Sequence, residues 1–421
     1  GPNGVIELGA VNQYAGAQDS GDALAASGAV NDQGAIGVGG SEDFPADASV
    51  DLAALLPEGS EGLITDLSLE LGALSSSIQQ VDGGEPVSDY QVAGATLNLN
   101  SPAVGDVYTA LLTTVDELQG TLDGLGSALE SGLSQGLNLG GLANLGTDVT
   151  FSAPDLSALL PDEVIGESSG VTVNLTTGAV TVDLETLLAA HDDLPNLNEM
   201  PANSQLLSGD VLAAITDGIT QAITDAVTIV VTDLQDTIGA TDLGLDVDVE
   251  LLSGLAGINV KLNAPVQDIL DGNSDGALSV TTSGVTSLLQ PLLDALGLGS
   301  ASQLGDTVLN LVGNILGESL DFLTDSTEST VDGITGPVAT DVVGPLLDAV
   351  NEAVAVTVNV QPATGDLGAD SSTVRALQVS LVPTAPLAEV NLASSTVRGT
   401  NATDTDAVDA DADATDADAT D

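Results

Sequence analysis

Long runs of aliphatic residues spaced by threes and fours constrain the fold of this chain most. The first run comprises Val107, Leu111, Val115, Leu118, Leu122, Leu125, Leu129 and Leu133. The second comprises Val211, Ile215, Ile219, Ile223, Val227, Val230, Leu234 and Ile238, with Ser208 or Asp210 as its expected N-cap. Residues at this spacing share one face of an α-helix, so each run predicts a long amphipathic helix.

A third helical pattern is interrupted. It passes through Val308, Val312, Ile315, Leu320 and Leu323, and it resumes between Thr330 and Glu352. Pro337 and Pro345 are expected to kink the second part, because proline removes a helical hydrogen bond.

Between the helices the apolar period changes to two, which is typical of half-buried strands. Residues 171–184 predict a hairpin around Thr176, Thr177 and Gly178, and residues 245–251 and 258–262 predict a second antiparallel pair. Further strands are expected near Val356, from Arg375 and from Ala388. The sequence therefore predicts an α+β fold in which long aliphatic amphipathic helices pack with antiparallel β-hairpins.

A short motif also recurs, in the form of an Asp followed by Leu at the second, fifth and sixth places. It occurs at Asp51–Pro57, Asp155–Pro161 and Asp183–Ala189. The Asp suits a helix cap, so we interpret the motif as a strand-to-helix element that points to internal duplication.

Changes in composition divide the chain into four parts. Residues 1–45 are rich in Gly and Ala and predict an arm or short strands, whereas residues 46–200 and 201–399 predict two α+β units. Residues 400–421 are almost entirely Asp, Ala and Thr. Such a like-charged run cannot bury enough surface to offset its ordering entropy, so we expect a disordered acidic spacer.

The charge of the chain narrows its partners. Three basic residues stand against 63 acidic ones, which gives a formal net charge of −60. Nucleic acids and anionic membrane surfaces are repelled at this charge, whereas cations, neutral glycans, protein ligands and further copies of the chain stay open. Cys is absent, which excludes disulfides and thiolate metal sites, and the longest apolar run is too short to predict a membrane span.

One loop matches part of a calcium-binding motif. Asp271, Asn273 and Asp275, followed by Gly276, place oxygen ligands at positions 1, 3 and 5 and the turn-forming Gly at position 6. Thr282 occupies position 12, where a bidentate acid is expected. The pattern therefore predicts Ca²⁺ at these three residues, with an ordinary polar loop as the alternative.

The sole Lys and the sole His of the chain are both expected to have ordinary structural roles. Lys261 lies on the polar face of its predicted strand, so we expect a cross-strand ion pair with Asp246, Asp248 or Glu250 rather than a buried isopeptide bond. His191 is expected to be a solvated loop residue, because the chain offers no second His and no Cys for a metal site.

Two segments carry a family resemblance. Tyr14–Gly37 and Ser372–Gly399 resemble the start and the end of the choice-of-anchor G family, which are secreted surface proteins of high-GC Gram-positive bacteria. The resemblance implies an extracellular, cell wall-associated location and transfers no catalytic residue. We therefore expect a non-enzymatic cell-surface protein with an adhesive or surface-structural role, tethered through the acidic spacer. The alternatives are a filament or surface-layer subunit that assembles by adding its N-terminal arm as a strand, and a secreted hydrolase.

Overall fold

The two aliphatic runs form the two longest helices that the structure contains in its described part. A computed structural model describes residues 6–7, 12–17, 22–28, 48–51, 64–81, 84–137, 143–295, 299–324, 327–338, 344–381 and 388–398. The helices in these ranges are α1 (Pro102–Gly136), α2 (Leu184–Ala189), α3 (Gly209–Gly239), α4 (Val266–Leu270), α5 (Thr286–Ala295), α6 (Ala301–Ser319), α7 (Asp321–Thr324), α8 (Thr327–Val338) and α9 (Gly344–Ala353).

The predicted helices are confirmed, including one of the two proposed caps. The side chain of Ser208 accepts a hydrogen bond from the backbone N–H of Val211 at the start of α3. The third pattern is divided among α6, α7, α8 and α9. Pro345 lies in the first turn of α9, where proline is tolerated, and Pro337 lies next to the last residue of α8, so neither lies in the middle of a helix.

The strands lie before, between and after these helices along the chain. They are β1 (Ile6–Glu7), β2 (Asn12–Ala17), β3 (Ala23–Gly28), β4 (Ala48–Asp51), β5 (Asp66–Leu71), β6 (Leu74–Gln80), β7 (Val87–Val92), β8 (Ala95–Asn100), β9 (Ala143–Phe151), β10 (Ile165–Ser168), β11 (Val171–Asn174), β12 (Ala179–Asp183), β13 (Ser204–Gln205), β14 (Asp242–Leu251), β15 (Ala256–Pro265), β16 (Leu278–Gly284), β17 (Val354–Val360), β18 (Ser371–Leu381) and β19 (Ala388–Arg398).

The described strands form four antiparallel sheets. Their orders are β1-β4-β5-β8-β12-β11-β10, β2-β3-β6-β7, β16-β15-β14-β9 and β13-β17-β18-β19. The hairpins β11–β12 and β14–β15 are those that the period-two patterns predict. Together with the helices, the sheets confirm the α+β class.

The recurring Asp motif adopts different local structures at the two copies that the structure describes in full. Asp183 ends β12 and caps α2, where its carboxylate accepts hydrogen bonds from the Thr186 backbone N–H at 3.1 Å and from the Thr186 hydroxyl at 2.8 Å. The copy at Asp155 begins only a 3₁₀ turn, and its side chain makes no cap hydrogen bond. Asp51 ends β4, and the rest of that copy lies outside the described residues.

One hydrophobic core joins the helices to the sheets. The helix α1 packs on β9 and α6, and α3 packs on β10, β11 and α8. The strand β9 pairs with β14 across the predicted domain boundary at residue 200. The division into residues 46–200 and 201–399 stays a prediction.

The helix α3 has the length and apolar composition of a membrane span. In its most apolar 18-residue window, 56% of the residues are buried within the protein. A core helix of a soluble protein has the same properties, so the length and composition of α3 do not by themselves place it in a membrane.

The sheet β2-β3-β6-β7 and the sheet β13-β17-β18-β19 pack face to face. The strand β19 lies over β3 and β6, and β18 lies over β6 and β7. Ala25, Ile78, Val374 and Val397 form a buried cluster in this interior, and the hydroxyls of Ser76 and Ser395 are 2.8 Å apart. Strands from the two ends of the chain therefore share one sandwich. The other residues of the predicted arm, and the predicted spacer 400–421, lie outside the described residues.

Candidate functional site

The outer surface of the sheet β16-β15-β14-β9, which we call the polar face, gathers hydrogen-bonding side chains. Strand alternation sends the aliphatic residues of β14 and β15 inward, where they are buried, and sends Asp246 and Lys261 outward. The register places Asp148, Asp246, Lys261 and Ser279 side by side across four strands. The predicted division between inward and outward residues is confirmed on both strands.

An ion pair lies near the centre of the polar face. The ammonium Nζ of Lys261 lies 2.6 Å from Oδ2 of Asp246, and the Lys261 side chain is 61% exposed. Asn259 donates its amide N–H to the carboxylates of both Asp246 and Asp248. The expected cross-strand pair is therefore confirmed, and the exposed Lys261 lacks the apolar surround that an isopeptide bond needs.

This network shifts the pKa values of both partners. Hydrogen bonds from Lys261 and then from Asn259 lower the pKa of Asp246 below its ordinary value. The hydrogen bond to Asp246, followed by its charge, raises the pKa of Lys261. Both shifts favour the charged forms, so the pair stays ionised over a wide pH range.

A hollow lies beside the ion pair. It has a volume of about 540 Å³, and its lining includes Asp148, Thr150, Asp242, Gly244, Asp246, Lys261 and Asn263. A Cβ at Gly244 would lie 3.3 Å from Cβ of Thr150 and 3.5 Å from Oδ1 of Asn263, so glycine keeps the floor open. The lining offers carboxylate, amide, hydroxyl and ammonium groups, which together both donate and accept hydrogen bonds.

The predicted calcium loop connects β15 and α4 to β16. Asp271 ends α4, and its Oδ1 accepts a hydrogen bond from Gln267 at 3.1 Å. The backbone N–H of Asn273 donates to the carbonyl of Asp268 at 2.8 Å, and Asp275 begins a 3₁₀ turn, its side chain lying outside the described residues. Within the described ranges, no group of three or more His, Asp or Glu could hold a metal ion. Ca²⁺ at Asp271, Asn273 and Asp275 stays a prediction.

His191 follows the last turn of α2. Its Nδ1 lies 2.8 Å from the backbone carbonyl of Leu187, and the side chain is half-buried. This contact holds the ring against the end of its own helix, which is a structural role.

One buried polar cluster, around Tyr90, is not predicted by the sequence. The hydroxyl of Tyr90 on β7 lies 2.9 Å from the carbonyl of Leu197 and accepts the backbone N–H of Met200 at 2.9 Å. Asn198 hydrogen-bonds both backbone groups of Val92, so this loop covers the Val92 end of the free edge of β7. Burial raises the pKa of the Tyr90 phenol. The partners are more than a hundred residues apart, and no local pattern signals their contact.

The fold and the polar face define the class as an acidic α+β protein that presents a solvated β-sheet surface. The chain belongs to the DUF8394 family, a domain of unknown function, whose model matches residues 2–398. No curated protein matches the chain, and no solved structure matches it. The resemblance to the choice-of-anchor G family stays a hypothesis.

Proposed function

We propose that this chain is a non-enzymatic, extracellular surface protein with an adhesive role, and that the polar face contacts the ligand. The observation that carries the proposal is the hollow beside Asp246 and Lys261. Its groups match a neutral glycan, whose hydroxyls both donate and accept hydrogen bonds. A neutral ligand also avoids the repulsion that a net charge of −60 imposes on anions.

The groups with shifted pKa values fit a binding role better than a catalytic one. These groups are Tyr90, Asp246 and Lys261. Burial and hydrogen bonding of Tyr90, and the surface ion pair, account for them. Catalytic acids and bases instead have pKa values tuned toward neutrality, which neither a raised Tyr or Lys nor a lowered Asp provides.

The location follows from the family resemblance and from the acidity. In this proposal the folded part is displayed outside the cell, and residues 400–421 form the acidic spacer toward the cell wall.

A glycan array probed with the full chain tests the proposal. We expect binding to neutral glycans, and a loss of about 10-fold to 100-fold in Asp148→Ala and Asn263→Ala, because each removes a hydrogen bond worth about 1–3 kcal/mol. Asp217→Ala is the matched control, since Asp217 is exposed on α3 and its loss changes the net charge equally with Asp148→Ala.

The result that contradicts the proposal is equal binding by the parent chain and both polar-face variants, or no binding to any neutral glycan. Repeating the array in Ca²⁺ and in Na⁺ at matched ionic strength tests the loop at Asp271. A requirement for Ca²⁺ that Asp271→Ala abolishes would support that site, and identical signals in both salts would argue against it.

A further inference from the structure

The strand β2 is an unusual edge for so acidic a protein. Among the described strands it pairs only with β3, so its other edge is free. Its six residues, NQYAGA, carry no charge. Other edge strands carry an acid, namely Glu7 on β1, Asp89 on β7, Asp148 on β9, Glu167 on β10 and Glu389 on β19, and Asn198 also covers the Val92 end of β7. Charges and covering loops are the usual means of preventing edge-to-edge association, and β2 has neither in the described part of the chain.

The strand β2 also projects beyond the sandwich. The register places Gln13 beside Ser27 and Ser76, and Ala15 beside Ala25, on the face that packs against β19. Because β19 lies over β3 and β6, it stops short of β2, and Gln13, Ala15 and Ala17 are exposed. Among the described residues, the C-terminal sheet therefore leaves room for a strand to approach the β2 edge.

We infer that β2 is an interface between two copies of this chain, which pair antiparallel through this strand about a two-fold axis. The free N–H and C=O groups of each β2 would then hydrogen-bond to those of the other copy. Because both copies use the same strand, the assembly ends at a dimer and does not grow into a fibre. Pairing through β19 is sterically worse, since the β2 of each copy, which projects beyond β19, would occupy the space of the other.

Charge favours a second copy as the partner. Two chains of net charge −60 repel, and an uncharged strand is where their approach costs least. A cationic peptide would find no carboxylate on β2 to pair with. The strand β16, LSVTTSG, is also uncharged and its outer face is exposed, but its sheet carries Asp148, Asp246 and Asp248. The strands of the β2 sheet carry Asp89 as their sole charged residue, so two copies repel less when they approach at β2. Six residues make a small interface, so the pairing is weak and strengthens as salt screens the repulsion.

Cysteine cross-linking tests this pairing directly, because the chain contains no Cys. A short bis-maleimide reagent added to Ala15→Cys should give a covalent dimer. Two controls carry the cysteine elsewhere. Val87→Cys lies on the opposite edge of the same sheet, at a residue 72% exposed, and Thr281→Cys lies on β16. We expect about ten times more dimer from Ala15→Cys than from either control, and equal yields, or dimer from Thr281→Cys alone, would overturn the inference.

Sedimentation of uncross-linked protein provides an independent test. The parent chain should shift toward dimer between about 0.05 M and 1 M NaCl, where the screening length falls to about 3 Å. Ala15→Asp should stay monomeric, because two-fold pairing brings its carboxylates together, whereas Val87→Asp, with the same net charge, should dimerise as the parent does. Circular dichroism verifies that both variants fold. A parent chain that is monomeric at both salt concentrations, or an Ala15→Asp variant that dimerises normally, contradicts the pairing. The polar face lies on another sheet, so this result is separate from the glycan test.

Discussion

The close contact between β10 and α3 makes a sharp prediction for Gly166. A Cβ at this position would lie 1.8 Å from the carbonyl oxygen of Ala222, 2.6 Å from its carbonyl carbon and 3.0 Å from Cβ of Ala226. Ordinary contacts are about 3.5 Å, so Gly166→Ala forces the strand and the helix apart by roughly 1.7 Å. Backbone atoms cannot rotate away, so the whole element must move.

The cost follows from the position of β10. Overpacking in a core costs about 1–3 kcal/mol, and β10 is a four-residue edge strand that can shift outward. We therefore expect Gly166→Ala to lower the free energy of unfolding by about 2–3 kcal/mol. Gly120→Ala in α1 is the control, because nothing lies within 4 Å of its added Cβ. Alanine there should stabilise the helix by about 1 kcal/mol.

Urea unfolding followed by far-ultraviolet circular dichroism measures both variants. The two midpoints should move in opposite directions from that of the parent chain, with an unchanged slope. If Gly166→Ala unfolds at the same urea concentration as Gly120→Ala, the tight packing of β10 on α3 is not a property of the folded protein, and the reasoning fails.

Two further predictions concern the shifted pKa values. Asp246→Asn should lower the pKa of Lys261 toward its ordinary value, because the Asp246 carboxylate raises that pKa. Since the chain has one lysine, NMR spectra of protein labelled with ¹³C at lysine show one signal to titrate. The control Asp217→Asn should leave the pKa of Lys261 unchanged. The stability from the raised pKa of Lys261 is present at neutral pH and is lost as the pH rises through that pKa; that from Asp246 is lost as the pH falls through its lowered pKa. Tyr90→Phe should lower the free energy of unfolding in urea by about 1–3 kcal/mol, because the buried N–H of Met200 loses its acceptor. The control is Tyr108→Phe in α1, which should cost less because Tyr108 is half-buried; equal losses would contradict the role of Tyr90.

The apolar period accounts for most of the secondary structure that the sequence predicts correctly. The spacing of Val107 to Leu133 and of Val211 to Ile238 is visible in the chain, because an aliphatic stripe of that length is stable only as a buried helical face. The alternation on β14 and β15 likewise places Lys261 outward beside Asp246. These predictions are confirmed because they depend only on residues that are close in the sequence, within a few helical turns or within one hairpin.

The Asp motif shows the limit of local patterns. The same residues form an α-helix after Asp183 and only a 3₁₀ turn after Asp155. A carboxylate cap stabilises a helix by about 1 kcal/mol, which is small compared with the packing around each copy. Tertiary context therefore selects the outcome.

The sequence by itself determined the helices, the hairpins, the division of strands into buried and solvated faces, and the charge that limits the partners. Only the tertiary structure decided that β9 joins β14 to complete the polar face, that strands from the two ends of the chain share a sandwich, and that β2 projects from it. The physical reason is the distance along the sequence over which each interaction acts. Periodicity reports which side of an element is buried, whereas pairing between distant strands depends on shape and backbone hydrogen bonds that no local stretch encodes.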